Sequence, residues 1–357
     1  MKRKLNMKKL LILASILVIL IIVVLLIVLK PKNSSKTNKS KKDNKTVEKK
    51  PVVPKEKVDI IDINSKTRPF AVVVNNTPVA IKVQEGLNKA YIVYEVPTEG
   101  STSRLMALYK DVEENVTIGT IRSVRHNFID FALESDSILV GYGWSVHAQN
   151  QLQRLHAIDY MNGMVHSKPY WRNNPEHLAS EHTAYTSTDK IKDFAYNSMK
   201  YKKENSDASN TVLLNYNVGD VDLSNMEGVK TANTVTLPYG SVTTKFTYNP
   251  ETKMYTRNVN GNTTKDHNTK EEFTTKNIIV ERLNYKMCPD NYYWDLHTVG
   301  SGEGYFITNG YAVPIKWSKS SRSAKTKYTY LDGKEIEVSD GRTYIEVQVT
   351  SRSTTIE

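Results

Sequence analysis

Arg68-Pro-Phe-Ala-Val-Val-Val-Asn-Asn76 decides how the chain is to be read. Phe70 to Val74 is an unbroken apolar run rich in β-branched residues, stopped by two asparagines. A run of strand length that ends in turn-forming residues is a buried strand carrying its polar end into a loop. Outward from it, Ala90-Tyr-Ile-Val-Tyr-Glu-Val96 reads as a second strand, turned at Thr98-Glu99-Gly100, and Ser103-Arg-Leu-Met-Ala-Leu-Tyr109 as a third. Ile118-Gly-Thr-Ile-Arg-Ser-Val-Arg125 leads into a helix over residues 127–134, in which Phe128, Phe131 and Ala132 share one face. A strand at Ser137-Ile-Leu-Val-Gly-Tyr-Gly143 and a helix from Val146 to Ile158 follow, the latter with Val146, Leu152, Leu155 and Ile158 on a partly apolar face. Strands alternating with helices predict an α/β, mixed-sheet N-terminal domain over residues 66–208.

From about residue 211 the texture changes. Turn residues become frequent and the helical period disappears. Tyr248-Asn-Pro-Glu-Thr-Lys-Met-Tyr255 and Asn258-Val-Asn-Gly-Asn262 read as hairpin connections. Asn277–Glu281, Gly304–Thr308, Val313–Trp317 and Tyr344–Val349 read as strands, the last with Ile345, Val347 and Val349 on one face. Leu331-Asp-Gly-Lys-Glu-Ile336 reads as a tight turn. The expectation is a mostly-β C-terminal domain over residues 209–357.

Upstream, Leu10 to Leu29 is a twenty-residue run that is apolar except for Ser15. At 1.5 Å per residue a helix of that length spans about 30 Å, the thickness of a bilayer's hydrocarbon core. No small-residue cleavage pattern follows, so residues 1–30 are expected to stay attached as a single N-terminal transmembrane helix rather than be removed as a signal peptide. Residues 31–65 are expected to form a disordered Lys-rich linker. The charge belongs to this region. Of the formal net +11, residues 1–9 contribute +5 and residues 30–60 contribute +7, leaving 61–357 at −1. A nucleic-acid-binding domain carries its basic face on the folded part, so no nucleic-acid partner is expected.

One cysteine, Cys288, excludes an internal disulfide and a multi-thiolate zinc site. Four places carry chemistry-bearing side chains. Arg122-Ser123-Val-Arg125 stands at the start of a helix that Ser123 or Asn127 can cap, which suits an anion; the arginines can equally satisfy Glu95, Glu99 or Asp130. Glu95 and Glu99 end a strand, where two carboxylates can do acid–base work or pair with Arg104 and Arg122. His177-Leu-Ala-Ser-Glu181-His182 has three residues between His and Glu where the inverted zincin pattern has two, and on a helix His177 and Glu181 would be i, i+4 neighbours. No third ligand is identifiable, so no metal site is expected. Cys288 reads as incidental. Gly300-Ser-Gly-Glu-Gly304 lacks the Lys and helix of a phosphate loop and reads as a β-turn.

Arg68–Asn76, Gly86-Leu-Asn-Lys-Ala-Tyr-Ile-Val-Tyr-Glu95, Glu99-Gly-Ser-Thr-Ser-Arg-Leu-Met-Ala-Leu108 and Ile118–Arg125 resemble, in order and spacing, the YerB-like family of bacterial envelope lipoproteins. Thr275-Lys-Asn-Ile-Ile-Val280, Gly300–Phe306 and Trp317 ahead of Leu331–Ile336 extend the resemblance over residues 66–350. It implies a two-domain protein of unknown function from a Firmicutes-type bacterium, with its globular part outside the cell membrane. Members usually carry a lipobox cysteine, which this chain replaces with an apolar anchor. Where the family tends to show Pro-His-Asn, this chain has Glu181-His182-Thr183, so His182 alone is retained.

The functional expectation is a membrane-anchored extracytoplasmic protein acting as a non-catalytic cell-envelope binding or scaffold module, with a wall polymer, peptide or envelope protein bound between the domains. The alternative is an envelope hydrolase or transferase on an anionic wall polymer or phosphodiester. In it Arg122 and Arg125 hold the anion, Glu95 or Glu99 acts as base and His182 assists. No cofactor is expected in either.

Overall fold

Phe70–Asn75 forms a strand buried along its whole length, as a strand covered on both faces must be. The structure, a computed structural model, describes residues 57–155 and 158–357. The apolar run Leu10–Leu29 and the Lys-rich segment to residue 56 lie outside the described residues. Among the described residues no helix is long and apolar enough to cross a membrane. The linker expected to residue 65 ends sooner: Val58 and Ile61 are buried, and the Asp59 and Ile60 amides donate to Asp340 at 2.8 and 3.0 Å.

Phe70–Asn75 belongs to an eleven-stranded sheet. Its path runs Lys327–Tyr330, Tyr311–Lys319, Gly300–Thr308, Asn277–Leu283, Thr343–Val349, Ile92–Pro97, Ser103–Tyr109, Phe70–Asn75, Ile138–Gly141 and Tyr160–Asn162, with Lys230–Thr231 paired beside Tyr311–Lys319. The pairing is mixed, as expected. Phe70–Asn75, Ile138–Gly141 and Tyr160–Asn162 run parallel, whereas Ser103–Tyr109 is antiparallel to both of its neighbours. The two halves of the chain meet within the sheet. Thr343–Val349 pairs in parallel with Ile92–Pro97 on one side and with Asn277–Leu283 on the other. The described residues accordingly fall in one compact unit.

Side chains alternate across this sheet into two cores. Ala71, Val73, Ile345 and Val347 face the helix His126–Leu133, which buries Phe128, Phe131 and Ala132 on the stripe its sequence predicts. Val72, Val74 and Tyr344 face a second, six-stranded sheet that contributes Phe246 and Tyr255. Each large apolar side chain so buried contributes about 1.5–3 kcal/mol. The hairpins read from the C-terminal half are present, with Thr243–Asn249 antiparallel to Met254–Val259 and the latter to Asn262–Thr263.

Several local expectations are corrected. The helix beginning at Val146 runs to Leu155. His177 lies in a loop with φ of 51°, and Ser180–His182 is a single 3-10 turn, so His177 and Glu181 share no helix. Gly300–Gly304 is no turn but the first half of the strand Gly300–Thr308. Glycine is needed there because a Cβ on Gly302 would sit 2.5 Å from Trp317 Nε1. In Thr343–Val349 the face carrying Glu346 and Gln348 is buried as fully as the face carrying Ile345 and Val347.

The helix-covered core also holds charge. Glu134 pairs with Lys319 at 2.5 Å, and Glu281 accepts the Tyr328 hydroxyl at 2.6 Å. Burial, then the Glu134 charge, raises the Glu281 carboxyl from 4.5 to about 7. The folded chain therefore holds this proton more tightly than the unfolded chain does. Its contribution is full below 4.5 and is lost as the pH rises through about 7. Glu281→Gln is expected to flatten the fall of the urea midpoint between about pH 5 and pH 8; an unaltered pH profile would mean that Glu281 folds as the carboxylate.

Candidate functional site

The residues singled out from sequence divide among three places. Glu95 lies deep between the two sheets, fully buried. It accepts Asn76 Nδ2 at 2.9 Å and Ser103 Oγ at 2.7 Å on one oxygen, and Thr244 Oγ1 at 2.9 Å and Arg257 Nη2 at 3.0 Å on the other. Its partner is thus Arg257, not Arg104 or Arg122. Beside it in register stands Glu346, whose carboxyl accepts the Tyr239 hydroxyl at 2.7 Å. Burial and the neighbouring Glu95 charge raise Glu346 well above the ordinary carboxylate range. With its carboxylate four times bonded and sealed from solvent, Glu95 is not placed to serve as a base toward a ligand.

Glu99 closes a second cluster. Arg125 grips it through Nε at 2.7 Å and Nη2 at 2.5 Å, and Arg104 Nη2 reaches the same carboxylate at 2.5 Å. Burial works to raise the Glu99 carboxyl, but the bonds and charges of Arg125 and Arg104 outweigh it and hold the group down at about 2. Arg104 also donates to the Ser123 carbonyl. Arg125 is the residue that caps the helix N-terminus, but with no side-chain bond to it. Ser123 and Asn127 do not cap it either, because Ser123 Oγ bonds the Tyr142 carbonyl at 3.1 Å and Asn127 Nδ2 the Trp294 carbonyl at 2.7 Å. The expected anion site at that helix start is therefore filled by Glu99.

Arg122 bonds to neither cluster, and with Ser123, whose carbonyl accepts from Arg104, it lines an open hollow of about 570 Å³. The parallel strands Phe70–Asn75, Ile138–Gly141 and Tyr160–Asn162 end together here, where loops of open sheets commonly build sites. Arg122 is seated at the end of the first, its amide bonded to the Val73 carbonyl at 2.9 Å and its carbonyl receiving the Tyr142 amide at 3.0 Å. Gly143 takes a φ of 88°, a left-handed conformation that lets the chain turn over the hollow to Trp144. Asn162 ends the third strand. Its Oδ1 accepts the Gly143 and Met164 amides at 2.7 and 3.0 Å. Its Nδ2, on a residue 2 % exposed, has no partner among the described residues.

Arg172 enters from a small sheet in which Trp171–Arg172 pairs with Ala184–Ser187. Its guanidinium lies 4.9 Å over the Tyr142 ring and donates to Thr183 Oγ1 at 3.0 Å. Among the described residues no carboxylate pairs with Arg172. Arg122 has one weak partner, the exposed Glu181, at 3.4 Å. The buried Arg122 Nε also lacks a partner among the described residues. Unpaired buried donors are costly unless something accepts from them.

His182 lies behind Glu181. Asn75 Nδ2 donates to its Nδ1 at 2.8 Å, which places the ring proton on Nε2, 3.4 Å from Glu181 Oε1. Burial, aided by the Arg122 charge, lowers the His182 value. Cys288 is buried, 3.9 Å from His126 Nε2, and burial raises its thiol to about 11, which disfavours the thiolate. Arg172, Asn162 and Trp144 were not singled out from sequence. The sign of them was the recurrence of Gly and Asn just past strand ends, at Gly141-Tyr-Gly-Trp144 and Asn162-Gly163.

Two family profiles match the chain, both described as protein of unknown function (DUF3048). The N-terminal domain matches residues 59–202 and the C-terminal domain residues 235–345. YerB of Bacillus subtilis (strain 168), a protein provisionally named a lipoprotein, is 30% identical over 290 residues, spanning 79% of this chain and 82% of the relative. The crystal structure of YerB from Bacillus subtilis superposes with a TM-score of 0.70 at 27% identity, covering 83% of this chain and 95% of that one.

Proposed function

The chain belongs to the two-domain DUF3048 family and is similar to YerB, and from that membership and the geometry of the hollow we propose that it is a membrane-tethered, extracytoplasmic binding module that holds an anionic ligand beside Arg122. Leu10–Leu29 would be its single-pass anchor and the Lys-rich segment its spacer, with the globular part outside the cell. The observation that carries the reading is the lining: Arg122, Arg172 and Asn162 border one open hollow, against a single carboxylate, Glu181. Charge-assisted bonds to an oxyanion would pair the two guanidinium groups. The carboxylates first considered as bases, Glu95 and Glu99, are bound elsewhere by arginines.

Calorimetric titration of the full chain in detergent with phosphate or acetate tests this. Arg122→Ala and Arg172→Ala are each expected to weaken anion binding about tenfold or more while the melting curve keeps its shape. Unaltered binding in both variants sinks the proposal.

A second reading, an envelope hydrolase or transferase on an anionic substrate, has one observation in its favour. Glu181 and His182 form a carboxylate–imidazole pair at the edge of the hollow. It predicts turnover of a phosphodiester probe, bis-p-nitrophenyl phosphate, that Glu181→Gln abolishes. Binding without turnover leaves the module reading standing.

A further inference from the structure

The hollow has an apolar lip that an inorganic anion would not use. Met164 and Val165, directly past Asn162, are 70% and 63% exposed, and Val146, two residues past Trp144, is 56% exposed. Among the described residues these are the three most exposed large apolar side chains. Of the three, Met164 lines the hollow itself and Val165 follows it in the chain, which gives the hollow an exposed apolar border. At about 570 Å³ the hollow also has room for more than a bare phosphate or acetate. Beside it, Trp171–Arg172 is the outer strand of its three-stranded sheet and presents an edge to which an extended chain can pair.

We propose that the hollow and its lip form a docking site for an acidic peptide segment of a partner protein. The segment lies extended along Trp171–Arg172, places an Asp or Glu carboxylate between Arg122 and Arg172, and lays an apolar neighbour on Met164 and Val165. Glu181 reaches Arg122 at 3.4 Å from the side and does not pair with Arg172, so the place between the two arginines is left to the incoming carboxylate. The net charge of the hollow, two arginines against Glu181, matches one carboxylate and leaves a dianion in excess. A glycan phosphodiester supplies the same charge but nothing for the exposed Met164 and Val165 side chains. This inference rests on the reading of the hollow as an anion site and names what bears the anion.

The test titrates the full chain in detergent with acetyl-Leu-Glu-Val-amide, with its twin carrying Gln in place of Glu, with glycerophosphoglycerol and with acetate. The Glu peptide is expected to bind about tenfold more tightly than its Gln twin. Met164→Ser with Val165→Ser is expected to weaken the peptide about tenfold and leave acetate unaffected. Equal binding of the twins, tighter binding of the phosphodiester, or binding of acetate without the peptide overturns the peptide inference. Failure of every anion, acetate included, overturns the anion reading beneath it.

Discussion

Arg257→Ala is expected to lower the stability of the chain by about 3–5 kcal/mol, because it strips the counter-ion from a carboxylate that has no route to water. Arg257 and Glu95 both have side chains of 0% exposure, and they pair at 3.0 Å. Asn76, Ser103 and Thr244 would still donate to Glu95, but none of them carries charge. The loss is aggravated by Glu346, the register neighbour of Glu95, since removing Arg257 leaves two carboxyl groups facing one another in the same seam. The measurement is the urea midpoint of the full chain at neutral pH. Arg257→Met with Glu95→Gln, which removes both charges and keeps volume, is expected to recover much of the loss. A single Arg257→Ala variant with the parental midpoint would show that Glu95 is not held by this arginine.

Glu99→Ala is expected to cost a similar amount, about 3–5 kcal/mol, for the converse reason: one carboxylate is removed and two cations lose their partner. The side chains of Arg104 and Arg125 are 3% and 10% exposed, too enclosed for water to replace Glu99 fully. The same carboxylate makes an acid-sensitive contribution. Its folded value of about 2 lies below its ordinary 4.5. Stability is therefore present above 4.5 and is lost as the pH falls toward 2, by about 3 kcal/mol for a shift of that size. In Glu99→Ala the midpoint should drop at neutral pH and then fall less steeply on acidification. A parental acid slope in the variant would place the acid-labile group elsewhere. Anion binding in the Arg122 hollow should survive in whatever fraction stays folded, since Glu99 does not line it.

Local signals carried much of the fold. The apolar run Phe70–Val74 and the turn chemistry at Asn249 and Asn260 specify their elements without help from distant residues. The helical stripe Phe128, Phe131 and Ala132 does the same, and the structure has each where the pattern places it. Failures came where a distant partner decides. Gly300–Gly304 has the composition of a turn, and it becomes strand because Trp317 packs where a Cβ would be. Glu346 and Gln348 look like the solvent side of a half-buried strand, and they are interior because the second sheet covers them.

The candidate site was legible in the same partial way. Arg122 and Ser123 were readable as an anion-suited pair. Arg125 was readable too, with Glu99 among the acids it could satisfy, and Glu99 is the one it grips. Nothing local announces that Glu95 will find Arg257, 162 positions away, or that Asn162 and Arg172 will meet beside Arg122. Such convergence follows from strand order, which periodicity does not encode.

The position of Thr343–Val349 bears on how the protein is made. It is the last strand of the large sheet to be synthesised, yet it lies at the middle of that sheet, between Ile92–Pro97 and Asn277–Leu283. Neither half can finish its hydrogen-bonded ladder while the ribosome still holds the final stretch. A nascent chain that crosses a membrane before residue 343 emerges crosses without its central strand, in a form threadable through a translocation pore. Pairing across some 250 positions is slow to close. The same arrangement makes the C-terminus intolerant of premature stops. Loss of the last fifteen residues takes away a binding edge from each half at once, and quality-control proteases would meet two open sheet edges rather than one frayed tail.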